Sequence, residues 1–290
     1  AVWDPTNTGL GAVGKQHLVP HGIRYTAVSG IWQTVWLEPV PAQHILSVEV
    51  MATDLTAGSV TLAVESHDTQ PGDEIEVEVR VDEEIVASAR EGAPAERISM
   101  RLSPPDLRAW SPEDPFLYEL QVSLWRNGKL LDRVESYFGA REVGMARDSA
   151  GIWRLMLNGS PIFHLGLLDQ GWWPDGLYTA PTDEALAFDI EATKKMGFNT
   201  IRKHVKVEPA RWYWHADRLG VLVWQDMPTG SDRDASRFTQ ILDQAGDFFS
   251  AHLFNSKGVR LERSPESAAY FRQELASMIA GLKSFPSIVA

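Results

Sequence analysis

The residue types in this chain that could carry chemistry are carboxylates, histidines and tryptophans. It has 39 Asp and Glu, 8 His and 11 Trp but no Cys, which excludes a thiol nucleophile, thiolate metal ligands and disulfides. Two opposed carboxyl groups can divide a hydrolysis between a proton donor and a group that attacks or stabilises the reacting carbon. A flat indole can stack on the apolar face of a ligand or simply fill a core. These types gather in three places: Asp169 with Trp172, Trp173 and Asp175; His204 behind Arg202 and Lys203; and Asp226 behind Trp224-Gln225. No His and carboxylate spacing among them reads as a metal site, and no cofactor is expected. The net charge of −12 argues against nucleic acid, whose phosphates are held by clustered Lys and Arg. No run approaches the roughly 18 apolar residues of a membrane helix, so no membrane partner is expected.

The elements that must position these residues fall into three styles. Residues 1–43 are rich in Gly, Pro and Thr and end in a β-type run, Gly30-Ile31-Trp32-Gln33-Thr34-Val35-Trp36-Leu37, read as the closing strand of a β-domain. Residues 44–142 alternate with period two. Ile75, Val77, Val79 and Val81 point one way and Glu74, Glu76, Glu78 and Arg80 the other. Similar strands are expected at 45–51, 59–66, 96–102, 116–124 and 130–138, with turns at Gln70-Pro71-Gly72-Asp73 and Asn127-Gly128. About seven short strands over roughly 100 residues suggest an immunoglobulin-like β-sandwich.

Residues 143–290 alternate strands with helices. A strand at Ile162–Leu167 precedes a helix opened by Thr182 with Asp183 and Glu184 in its first turn and closed by Lys194 and Lys195. A strand at Asn199–Val205, a helix from Pro209 to Gly220 and a strand at Val221–Gln225 follow. Phe238, Ile241, Leu242, Ala245, Phe248 and Phe249 are spaced as a further helix. Ser264-Pro265 opens another, striped by Phe271, Leu275, Met278, Ile279 and Leu282, and Ile288-Val289-Ala290 looks like the start of a fourth strand. Such alternation implies a parallel sheet, of which the eight-stranded (β/α)8 TIM barrel is one main form; a barrel needs about 250 residues, more than remain here, so only its first part is expected. Sites in barrels lie at the C-terminal strand ends, which selects the loops Asp169–Asp175, His204–Glu208 and Gln225–Pro228.

Several segments resemble glycoside hydrolase family 2. Ser29-Gly30-Ile31-Trp32-Gln33-Thr34-Val35-Trp36-Leu37-Glu38 is similar to the end of that family's jelly-roll sugar-binding domain. Trp110-Ser111-Pro112, Pro115-Phe116-Leu117-Tyr118 and Phe138-Gly139-Ala140-Arg141-Glu142 resemble its immunoglobulin-like domain. Leu157-Asn158-Gly159-Ser160-Pro161-Ile162, Gly197-Phe198-Asn199-Thr200-Ile201-Arg202 and Trp224-Gln225-Asp226-Met227-Pro228 resemble the entry, second strand and third strand end of its catalytic barrel. The pieces run in the family's order across essentially the whole chain.

The resemblance implies a retaining exo-glycosidase of β-linked sugars, β-galactosidase-like first, with a β-linked glycoside as its partner. It also implies two glutamates, an acid/base in an Asn-Glu pair ending barrel strand four and a nucleophile on a later strand. Pro286-Ser287-Ile288-Val289-Ala290 resembles the opening of strand four, so neither glutamate is expected here, no catalytic residue is assigned, and the chain alone is expected to be inactive. The expected substrate-binding residues are Asp169 and Asp175 as acceptors for sugar hydroxyls, Trp172 and Trp173 as stacking platforms, and His204 and Asp226 at the strand ends. Packing roles for the same residues stay open, and Arg202 is read as a buried anchor paired with a carboxylate. A partial barrel leaves strand edges open, which leaves room for a homo-oligomer. The other reading is a non-catalytic carbohydrate-binding or scaffold protein built from the same domains. Composition leaves the compartment open.

Overall fold

The computed structural model describes residues 4, 10–20, 22–228 and 264–290. The helix expected over 238–249 lies outside the described residues. Near the N-terminus, β1 (Gln16–His17) and β2 (Tyr25–Thr26) make a short parallel pair. The run Gly30–Leu37 is not a strand. It pairs with no described strand, and Val35, Trp36 and Leu37 are largely open to solvent, Leu37 completely so. A β-type composition makes a strand only where a ladder partner takes up its backbone N–H and C=O groups.

Seven antiparallel strands then form a sandwich. One sheet has the order β3 (His44–Asp54), β4 (Ser59–His67), β7 (Arg97–Leu102). The other has the order β6 (Glu84–Gly92), β5 (Asp73–Val81), β8 (Tyr118–Arg126), β9 (Lys129–Phe138). Alternation builds its core as expected: Ile75, Val77 and Val79 of β5 are fully buried against Leu62, Met100, Leu120 and Val122. The outward carboxylates are used as well, since Trp125 Nε1 donates to Glu76 at 2.8 Å and Gln121 Nε2 to Glu78 at 2.9 Å. The strand not anticipated is β6, whose Ala and Glu content disguises it. Its register is set by a two-residue turn in which Asp82 and Glu83 both adopt positive φ, 47° and 68°, the backbone of a type I′ hairpin. Asn127-Gly128 makes the same turn between β8 and β9, at φ 50° and 77°.

After the sandwich comes a second departure from expectation, an antiparallel hairpin of β10 (Val143–Arg147), β11 (Trp153–Leu157) and β12 (Ser160–Pro161). The strand expected at Ile162–Leu167 begins instead at Gly166, and Ile162 N donates back to Leu155 O of the hairpin at 3.0 Å. Three parallel strands follow, β13 (Gly166–Asp169), β14 (Thr200–Lys203) and β15 (Leu222–Gln225), joined by α1 (Asp183–Lys195) and α2 (Ala210–Leu219). The caps are those read from the sequence. Thr182 Oγ1 accepts from Ala185 N at 3.1 Å, and Gly220 closes α2 with φ 71°. Ile190, Tyr213 and Ala216 of the helices are fully buried against Ile201 and Val223 of the strands. Along the far edge of β15, Val223 N donates to Ser287 O at 2.7 Å and Gln225 N to Ala290 O at 2.8 Å, so residues 287–290 pair as the start of a fourth parallel strand. The helix before them, α3 (Pro265–Leu282), is capped by Ser264, but among the described residues its apolar stripe is only partly covered; Leu282 packs into the helix–strand core while Ile279 is exposed.

Sandwich and parallel sheet meet at a buried junction. Trp110 is fully buried between Leu157 and Leu222, and its Nε1 donates to Asp217 O at 2.8 Å. The Asp217 carboxylate accepts from Tyr137 Oη at 2.8 Å and from Ser287 N at 2.8 Å. Burial pushes this carboxyl up to about 7, against the pull of those two donors and of Arg141. Arg141 itself caps the fourth strand, donating to Pro286 O at 2.8 Å and Ile288 O at 2.9 Å. Gly139 lies so close that a Cβ there would sit 2.9 Å from Pro286 and 3.0 Å from Trp110. Gly139→Ala is therefore expected to cost about 1–3 kcal/mol through overpacking, read as a lower midpoint in urea unfolding at unchanged slope.

Candidate functional site

Strand alternation sends two rows of side chains to opposite faces of the parallel sheet. Leu168, Arg202 and Trp224 stand side by side on the face away from the helices, in the register Leu168↔Arg202↔Trp224. Two residues further along the same strands, beyond their C-terminal ends, lie His204 and Asp226. Arg202 grips the Asp226 carboxylate with two parallel bonds, from Nε at 3.0 Å and Nη2 at 2.9 Å. His204 Nδ1 is 2.6 Å from the same carboxylate. Burial raises the Asp226 carboxyl, but the bonds from Arg202 and His204 outweigh it and hold it below the usual carboxylate range. The group is thus ionised at neutral pH and accepts the Nδ1 proton, which in a neutral ring leaves the lone pair on Nε2. Contrary to expectation Arg202 is no buried anchor: its side chain is 51% exposed. The result is a partly open set of one carboxylate, one guanidinium and one imidazole, able to accept and donate hydrogen bonds to a polyhydroxylated ligand.

The opposite row, Asp169, Lys203 and Gln225, leads into a buried charge network. Lys203 and Lys206 are each 1% exposed. Lys203 Nζ lies 2.7 Å from Asp169 and 2.5 Å from Glu208, and Lys206 Nζ lies 2.9 Å from Glu208 and 2.6 Å from Gly171 O. Trp212 faces Lys203 at 4.6 Å, while Trp32 and Tyr178 face Lys206 at 5.1 and 4.7 Å. Burial lowers the Lys206 ammonium and Glu208 partly restores it. Only glycine fits position 171, where φ is 63° and a Cβ would meet Lys203 Nζ at 2.9 Å.

Of the six residues expected to touch a ligand, the fold brings His204 and Asp226 together. It directs Asp169 into the network, with Oδ1 accepting from Gly171 N at 2.7 Å and Oδ2 from Lys203. Trp172 stacks on Tyr25 at 4.4 Å, Trp173 is half-buried on the helix–strand core with its backbone paired to Leu177, and Asp175 accepts from its neighbour Gly176. The segment around residues 14–33 lies over part of these loops: besides Tyr25 on Trp172, Trp32 packs on Tyr178 at 4.4 Å and Lys15 Nζ donates to Gln170 at 3.0 Å. The residues missed were Lys203, Lys206 and Glu208, because Lys and Glu just beyond a strand read as solvated charges. Two bulky apolar residues in these loops, Leu177 and Val205, hold φ of 52°, whereas the other non-glycine residues at positive φ among the described ones are Asp, Asn or Glu. Each such backbone costs on the order of 1–3 kcal/mol and persists only where its surroundings over-determine it.

The family described as Glycosyl hydrolases family 2 matches residues 26–141. The beta-galactosidase of Klebsiella pneumoniae (strain 342) is 29% identical over 213 residues, covering 68% of this chain and 20% of that protein. The beta-galactosidase of Halalkalibacterium halodurans is 26% identical over 205 residues, covering 69% and 20%. The chain thus spans about a fifth of the length of these curated relatives. Among solved structures, a beta-glucuronidase of Bifidobacterium dentium complexed with coumarin-3-O-glucuronide has a TM-score of 0.66 at 17% identity, over 86% of this chain and 37% of that one. The likeness to glycosyl hydrolases family 2 thus rests on residues 26–141 and on these beta-galactosidases, and the solved structure shares the fold.

Proposed function

We propose that this chain is the sandwich and the opening of the (β/α)8 barrel of a retaining exo-glycosidase of β-linked sugars, β-galactosidase-like first. Its Arg202–Asp226–His204 cluster binds a sugar ring, and the two carboxyl groups that cleave the bond come from other elements. One observation carries this reading: two adjacent strands of the parallel sheet, β14 and β15, present the cluster together at their C-terminal ends, where barrels bind substrates. A general acid must hold a proton at working pH, and Asp226, kept ionised by its two partners, cannot take that role. The sandwich supports the reading as an immunoglobulin-like middle domain; Gly30–Leu37, unpaired among the described strands, is read as the end of a jelly-roll by resemblance of its residues alone. Non-catalytic carbohydrate binding is the second reading, favoured by the presence of one carboxylate rather than two in the cluster.

The 290-residue chain is expected to bind galactose weakly and to leave nitrophenyl β-glycosides uncleaved. His204→Ala or Asp226→Asn should weaken galactose binding by roughly tenfold, the loss of one or two good hydrogen bonds, as measured by NMR titration. Unchanged affinity in both variants would refute the site, and turnover by the chain alone would refute the division of labour. The affinity should also survive mild acid. Asp226 has a depressed pKa, so its paired state is present above the ordinary carboxylate range and is lost only as pH falls below it.

A further inference from the structure

We infer that Val205 is the positioning residue of His204: its left-handed backbone turns Lys206 back to join Lys203, already on the buried face of its strand, and leaves His204 alone on the open face. The inference rests on the reading of the Arg202–Asp226–His204 cluster as the ligand site. In an unbroken strand, side chains alternate, so residues 203 and 205 share one face and residues 204 and 206 the other. Lys206 would then follow His204 onto the open face. It does not. With φ of 52° at Val205, Lys206 Nζ returns to Glu208 at 2.9 Å, the same oxygen that lies 2.5 Å from Lys203.

The pose is clamped from both sides. His204 N donates to Asp169 O at 2.8 Å, and Lys206 O accepts from Gln225 Nε2 at 2.9 Å. From the N-terminal segment, Gln33 Nε2 reaches Val207 O at 3.4 Å, and Gly14 sits against Val205, where a Cβ would come 3.0 Å from its carbonyl oxygen. A β-branched residue is the type least suited to this backbone, so its strain is maintained by these contacts and the pose of His204 is bound to it.

Val205→Gly and Val205→Ala separate this from a packing role. Ala keeps the strain and Gly relieves it, so the Gly variant of this chain should melt roughly 2–4 °C above the Ala variant, the reverse of the usual order. The usual order would overturn the strain. At neutral pH the His204 Nδ1 proton should give a downfield NMR signal in wild type and Val205→Ala, and the signal should be lost in Val205→Gly once the freed backbone lets the ring leave Asp226. Its retention in the Gly variant would overturn the positioning role. In a longer form that turns over a glycoside, Val205→Gly should lower kcat/KM about tenfold or more, and add nothing to His204→Ala. An additive loss in the double variant would also overturn it. Should His204→Ala itself leave turnover unchanged, the site reading fails, while the melting order and the proton signal still decide on Val205.

Discussion

Replacing Glu208 with Gln is expected to destabilise the chain by about 3–5 kcal/mol, the largest effect of any single conservative change here. Glu208 is 3% exposed, and one of its oxygens serves two lysines that are each 1% exposed. Gln keeps the volume and removes the charge, so packing is unchanged and the loss is electrostatic. Two ammonium groups then remain out of water with only Asp169 and the Gly171 carbonyl between them. Thermal unfolding should show a midpoint lowered by about 10 °C. Removing one of the stranded charges should recover part of this, so Lys206→Met is expected to cost less in the Glu208→Gln background than in wild type. Equal costs in the two backgrounds would show that the charges do not act as one unit. Local consequences should appear in the loop around Val205 as faster amide exchange, since the network anchors both flanks of that residue.

Trp110→Ala, with an expected cost of about 3–5 kcal/mol, acts at the junction instead. The side chain is wholly buried, its backbone N donates to Ala140 O at 2.7 Å, and Asn158 Nδ2 donates to its carbonyl at 2.9 Å. Removing the indole opens a cavity among Leu157, Leu222 and Leu117 and orphans the Asp217 carbonyl. The sandwich has its own core, centred on residues such as Val60, Val77 and Leu124, which the change leaves untouched. Calorimetry should therefore resolve two transitions where one is expected of wild type, the lower belonging to the parallel sheet. A single transition shifted as a whole would mean that the two layers remain coupled without Trp110. Trp110→Phe keeps most of the volume and is expected to lose about 1–2 kcal/mol, chiefly the hydrogen bond to Asp217.

Where a residue's partner lies nearby in sequence or on the same face, the chain's own pattern was enough. Alternation located β5 and its buried valines, Thr182 and Ser264 announced their helices, Gly220 ended α2, and the Asn127-Gly128 turn set a hairpin register. These signals are local: a period of two, a cap oxygen, a tolerance for positive φ. Pattern faltered where local preference was overruled. Gly30–Leu37 has strand chemistry and no described ladder partner, β6 has poor strand chemistry and a turn that forces it, and the hairpin β10–β11 lay in a stretch read as strand and helix.

For the site, the sequence by itself determined that His204 and Asp226 stand at strand ends two positions beyond Arg202 and Trp224, because alternation along adjacent parallel strands puts them in one column. Only the tertiary structure decided what each does. Asp169 and Asp226 stand on opposite rows of one sheet, Asp169 in register with Lys203 and Gln225 and Asp226 level with His204, so one neutralises a buried lysine and the other holds a histidine on the open face. That Lys206 enters the buried network as well follows from one φ angle at Val205 and from a distant segment whose Trp32 lies over it. Neither leaves a trace in residue type or spacing, since both are settled by which groups must share a space that water cannot enter.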